Sequence, residues 1–125
     1  MESSADKLFS TAIENLNAAN KELYKPEEDV VSYAVCKNSQ YAIENYLRGF
    51  LTKNGIDTSS LITIAELYEA CKNININFEK IDLSDFQCKS YKIDSGYCNE
   101  YAKVNSCFAT ADDLDTFLRK EKIIS

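Results

Sequence analysis

The side chains of this chain that could do chemistry are few, and the missing type says most. No histidine occurs in the 125 residues. That removes imidazole acid–base catalysis, the Ser-His and Cys-His nucleophile pairs and imidazole metal ligation in one step. The only arginines are Arg48 and Arg119. Arg48 follows Glu44 by four residues, a spacing that sets both on one helical face. The pair reads either as a helical salt bridge or as a phosphate-binding arginine with its carboxylate neighbour. Gln40 and Tyr41, a turn or two earlier, are the other candidate ligand-binding side chains. Gln40, Asn38 and Asn45 are polar groups on an otherwise apolar helix and need hydrogen-bond partners if they are buried.

The remaining clusters have plainer readings. Asp112, Asp113 and Asp115 would have to converge on one point to hold a cation, whereas acidic residues at a helix start need no convergence. They are assigned to the start of the last helix. The five cysteines (Cys36, Cys71, Cys88, Cys98 and Cys107) form no C-x-x-C pair. Each lies in or beside an apolar helical pattern, as reduced, semi-buried thiols do. No catalytic residue, metal ligand or cofactor site is assigned. With three glycines in the chain, no glycine-rich loop exists to cradle a phosphate. Eight tyrosines, Tyr33, Tyr41, Tyr46, Tyr91, Tyr97 and Tyr101 among them, could line an interface or pack along helix seams.

The elements that must position these residues are helical throughout. The central one runs from Asp29 to Asn54, where Val31, Val35, Ala42 and Tyr46, and beside them Ile43, Leu47, Phe50 and Leu51, recur at spacings of three and four. At 1.5 Å per residue it would be roughly 39 Å long. Asp29 can cap its start and Gly55 can end it. Its apolar surface is broad enough to need neighbours on two sides. A first helix spans about Ser4 to Tyr24, with Leu8, Ala12, Leu16, Ala19 and Leu23 on one face. Pro26 separates the two helices, which should be antiparallel neighbours. A third helix carries Leu61, Ile64, Ala65, Tyr68 and Cys71. Asn73-Ile74-Asn75-Ile76-Asn77 breaks it and reads as loop, since no second strand is available to pair with its alternation. Leu83 to Val104 reads as an irregular helical region with a break near Ser95-Gly96. Thr110-Ala111-Asp112-Asp113 reads as the cap of a last helix that buries Leu114, Phe117 and Leu118. The fold expected is all-α, an up-and-down bundle of four to five helices, in a single domain over residues 1–125.

The totals agree with that expectation. A hydrophobic fraction of 45% and a charged fraction of 27% are those of a globular protein. No run of about 18 apolar residues exists to span a membrane. The start, MESSADK, lacks the features of a secretory signal, so a cytoplasmic location is expected. A net charge of −6 disfavours duplex nucleic acid as a partner.

The stretch from Ala34 to Asp57, AVCKNSQYAIENYLRGFLTKNGID, resembles the second helix of the HEPN family, with Gln40, Ala42, Glu44, Leu47, Leu51 and Gly55 in matching places. The third helix is similar to a degraded form of the family's T-H-D-L-x-x-L segment, with Ile62 where the histidine would sit and Ile64 and Leu67 as the leucines. Tyr101-Ala102-Lys103-Val104 resembles its closing region. The resemblance implies a helical bundle that pairs as a homodimer. It also implies either a ribonuclease using an R-x(4–6)-H motif or a non-catalytic accessory module beside a minimal nucleotidyltransferase in toxin–antitoxin pairs. No histidine follows Arg48 or Arg119, and the family's arginine-tyrosine-proline run is missing near Asn105-Ser106-Cys107. The expected function is therefore a non-catalytic binding or accessory module. It would act as a homodimer, with a nucleotidyltransferase-like protein as partner or a nucleotide-like ligand. The alternative is an enzyme acting on RNA or nucleotides through a non-standard site at Arg48 and Glu44.

Overall fold

One helix, α2 (Ser32–Lys53), gives the chain its organisation, because three other helices each take a different face of it. The computed structural model describes residues 4–26, 32–81 and 101–124. The other helices are α1 (Ser4–Leu23), α3 (Ile64–Ile74) and α4 (Tyr101–Lys120), with a 3-10 helix at Ile76–Lys80. Among the described residues the protein is all-helical, with no strand.

Pairs of contacts fix the directions. Asn15 meets Asn45 and Phe9 meets Gly49, so α1 runs antiparallel to α2. Cys36 meets Cys107, and Tyr46 meets Asp115, so α4 runs parallel to α2. This is the alternation an up-and-down bundle needs. α3 is short and lies across α2. The carbonyl of Leu61, just before α3, receives Arg48, while Cys71 in its last turns reaches the Leu47 carbonyl.

The core follows from helical periodicity. Val35, Ala42, Ile43, Tyr46, Leu47, Phe50 and Leu51 of α2 are buried, and so are Ala5, Phe9, Ala12, Leu16 and Ala19 of α1. Small residues let α1 approach closely: a Cβ on Gly49 would stand 2.7 Å from Phe9 Cε1, nearer than such atoms come. At the same level of α2, the Phe78 ring stands 4.7 Å from Phe50 and 4.9 Å from Phe117, tilted against both. Each such pair contributes about 0.5–1.5 kcal/mol beyond its buried area.

Helix ends are well made. Gly55, at φ +80, closes α2: its N–H bonds the Thr52 carbonyl and the Ile56 N–H bonds the Leu51 carbonyl. A left-handed residue is what this double bond pattern demands, and glycine adopts it without a Cβ penalty. Thr63 caps α3 by accepting from the Glu66 N–H, while the Glu66 carboxylate accepts from the Thr63 N–H.

Two expectations are corrected. Thr110-Ala111-Asp112-Asp113 does not start a helix, because α4 is continuous from Tyr101. Cys107, Thr110 and Ala111 are buried against the rest of the bundle, so packing carries the helix through a stretch whose local chemistry looks like a cap. The stretch Asn73–Asn77 is not loop. α3 extends to Ile74, and Asn75 ends it while its side chain accepts from the Asn77 N–H to start the 3-10 helix. Asp29 and Val31, the Ser95-Gly96 break, and most of the Leu83–Val104 region lie outside the described residues.

Candidate functional site

Helical spacing brings Glu44 and Arg48 together: Arg48 Nε donates to Glu44 Oε2 at 2.9 Å, and both side chains are 19% exposed. Arg48 then reaches across to the loop after α2. Nη1 donates to the Thr58 carbonyl and Nη2 to the Leu61 carbonyl, each at 2.7 Å. The planar guanidinium has five N–H donors in a fixed fork, so these contacts use three directions of it and leave two. What sequence spacing reads as a pair is a clamp holding the loop 54–62 onto the central helix.

Gln40 is buried one turn earlier. Its Nε2 donates to Cys36 Sγ at 3.0 Å, while its Oε1 and the neighbouring Ser39 Oγ are buried without a hydrogen-bond partner among the described residues. Tyr41 is half-buried, and Lys37 Nζ stands 5.8 Å from its ring centroid. Gln40, Glu44 and Arg48 thus form one row along α2, with Tyr41 beside it.

A second polar centre was not among the expected site residues. Tyr46, fully buried, donates its hydroxyl to Asp115 Oδ1 at 2.6 Å, and Arg119 Nε donates to Asp115 Oδ2 at 2.9 Å. Burial, and then the adjoining Asp115 carboxylate, push the Tyr46 hydroxyl well above the ordinary tyrosine range. The i, i+4 spacing of Asp115 and Arg119 was a usable signal; the link to Tyr46 was not, since it joins residues on different helices. The Asp residues of this region therefore lie three to four turns inside α4, where Asp115 serves as a part-buried acceptor and not as a helix-start charge.

Arg119 also lies on a groove between α1 and α4. One part, of about 630 Å³, is lined by Asp6, Phe9, Ile13, Lys122 and Ile124. A second part, of about 450 Å³, carries Asn17, Asn20, Tyr24, Phe108 and Asp112, and shares Ile13 and Arg119 with the first. Among the described residues no group of three or more Cys, Asp or Glu side chains could hold a metal ion, and no helix is long and apolar enough to cross a membrane.

With this arrangement in view, the family model for the HEPN domain matches residues 5–122, from the first turn of α1 to the end of α4. The chain belongs to the HEPN family. No similar curated protein and no similar solved structure was found. HEPN domains are all-α modules, often associated with nucleases and often dimeric, and the four helices here are such a module. In this HEPN domain both arginines stand four residues after a carboxylate and bond to it, Arg48 to Glu44 and Arg119 to Asp115.

Proposed function

We propose that this HEPN domain is a non-catalytic binding or accessory module that pairs with a second copy of itself. Its partner class is a nucleotidyltransferase-like protein. The observation that carries this reading is the chain's acid–base inventory: no histidine exists. Phosphodiester cleavage needs a group that titrates near neutral pH, which unperturbed lysine and tyrosine do not. Both arginines, moreover, are engaged by carboxylates of their own helices. A net charge of −6 adds that long duplex nucleic acid is a poor partner.

Size-exclusion chromatography with light scattering tests the pairing. A mass of two copies at micromolar concentration is expected, and a strictly single-copy mass removes the dimer from the proposal. Incubation with single-stranded RNA tests the rest, with intact RNA expected after treatment with the purified protein.

A second reading keeps the row Gln40, Glu44 and Arg48, with Tyr41, as a nucleotide-binding or RNA-acting site. What favours it is a Gln40 Oε1 that is buried without a hydrogen-bond partner among the described residues, two turns along the same row from a guanidinium with two donors remaining. RNA cleavage that disappears in Arg48→Ala, in protein whose helical circular dichroism is retained, would establish this reading over the first.

A further inference from the structure

Cys36 and Cys107 are separated by 71 positions in the chain, yet their sulfurs stand 3.6 Å apart at the seam of α2 and α4. Both are nearly inaccessible, at 1% and 2% exposure. Cys36 Sγ also receives the Gln40 Nε2–H at 3.0 Å. Ser39 and Gln40 follow Cys36 at i+3 and i+4, so the three share a face of α2. Among the described residues, Ser39 Oγ and Gln40 Oε1 are the buried side-chain oxygens that lack a partner.

From this juxtaposition we infer that Cys36 is an oxidation site for hydroperoxides and Cys107 its resolving thiol, the product being a disulfide that staples α2 to α4. In the first step the Cys36 thiolate attacks one peroxide oxygen. The O–O bond breaks, an S–O bond forms, and the other oxygen leaves as an alkoxide or hydroxide that takes up a proton. Cys36 is then a sulfenic acid, oxidised by two electrons, and the peroxide is reduced by two. In the second step the Cys107 sulfur attacks Cys36 Sγ. The S–S bond forms, the S–O bond breaks, and the departing hydroxide takes the Cys107 proton to leave as water. Two thiols and one hydroperoxide thus give one disulfide, one alcohol (or water) and one water.

The surroundings fit each step. The Cys107 S–H, opposed by burial and helped by Gln40, draws the Cys36 thiol below its ordinary pKa, while the same contact pushes Cys107 up. Cys71 offers a contrast, since burial alone pushes its thiol up to about 12. A sulfenic acid adds an O–H donor, and Gln40 Oε1 is an acceptor awaiting one within a side chain's reach. The bridge requires the sulfurs to close from 3.6 Å to a bond of about 2.05 Å. Burial makes the first step slow, since peroxide reaches Cys36 only in transient local openings.

The test is treatment of the purified full chain with one equivalent of hydrogen peroxide. The expected products are a loss of about 2 Da in intact mass and a proteolytic peptide joining Cys36 to Cys107. The melting temperature should rise by roughly 10 °C, as a cross-link closing so long a loop requires, and fall back on reduction. In Cys107→Ser the reaction should halt at a sulfenic acid on Cys36 that dimedone labels. Absence of the Cys36–Cys107 peptide after exhaustive treatment overturns the proposal, as does a cross-link that maps to other cysteines. The wild-type peptide map decides even if the variant fails to fold.

Discussion

The Tyr46 hydroxyl donates to Asp115 across 2.6 Å, and this bond joins the middle of α2 to the last turns of α4. The phenol is fully buried, while the Asp115 carboxylate keeps 14% of its surface exposed and holds Arg119 with its other oxygen. Tyr46→Phe should cost about 1.5–3 kcal/mol, the net value of a hydrogen bond to a charged group, and lower the melting temperature by several degrees.

The same bond sets an alkaline limit. The folded-state pKa of Tyr46 is raised from its ordinary 10.0, with burial the largest cause and Asp115 next. The native state therefore binds this proton more tightly than the unfolded chain does. Its contribution is complete below pH 10.0 and is lost progressively as pH rises above it. Urea titrations between neutral pH and the alkaline range should show stability falling less steeply in Tyr46→Phe than in the wild type. Equal slopes would mean that Tyr46 does not hold its proton differently in the two states.

Gly49 offers a reversal of a common rule. Glycine to alanine inside a helix usually adds up to about 1 kcal/mol. Here the new Cβ would stand 2.7 Å and 2.8 Å from two atoms of the Phe9 ring. Phe9 borders the groove between α1 and α4, so its ring can tilt to relieve part of the overlap. Gly49→Ala should be net destabilising by about 1 kcal/mol. Combined with Phe9→Leu, the two changes should cost less than the sum of the singles, which a double-mutant cycle measures.

Arg48→Lys should behave as a loss and not as a conservative change. An ammonium on a flexible stem cannot meet Glu44, the Thr58 carbonyl and the Leu61 carbonyl from the three sides a guanidinium does. A cost of about 2 kcal/mol is expected. Hydrogen exchange should quicken in the loop 54–62 and at the start of α3 while the centre of α1 stays protected.

Lys122 is the one described non-glycine residue with positive φ, at 60, and it ends α4 with the same bonds that Gly55 makes after α2. A side chain there costs about 1 kcal/mol. Lys122→Gly should return roughly 0.5–1 kcal/mol, read as a rise in the denaturation midpoint with an unchanged slope.

Much of this fold was legible in the sequence because burial at a period near 3.6 writes itself directly into residue order. The apolar rows of α2 and the Glu44–Arg48 pair needed no knowledge of neighbours. The start of α4 was illegible for a physical reason: Thr110 and the acidic residues after it satisfy a helix start as well as a helix middle. Only the burial of Cys107, Thr110 and Ala111 decides between them. The carbonyls that receive Arg48, the approach of Cys36 to Cys107, and the acceptor of the Tyr46 hydroxyl depend on how the chain returns to α2. Residue spacing within one helix carries no record of that path.

Asn75 ends α3 and begins the 3-10 helix with no residue between them, and three positions later Phe78 sits wedged between Phe50 and Phe117. The corner has no slack. Any rocking of α3 must therefore turn the Phe78 ring, and that ring bears on α2 and α4 together. A molecule that gripped the outer side of α3 would be felt on both long helices at once, as a lever is felt at its fulcrum.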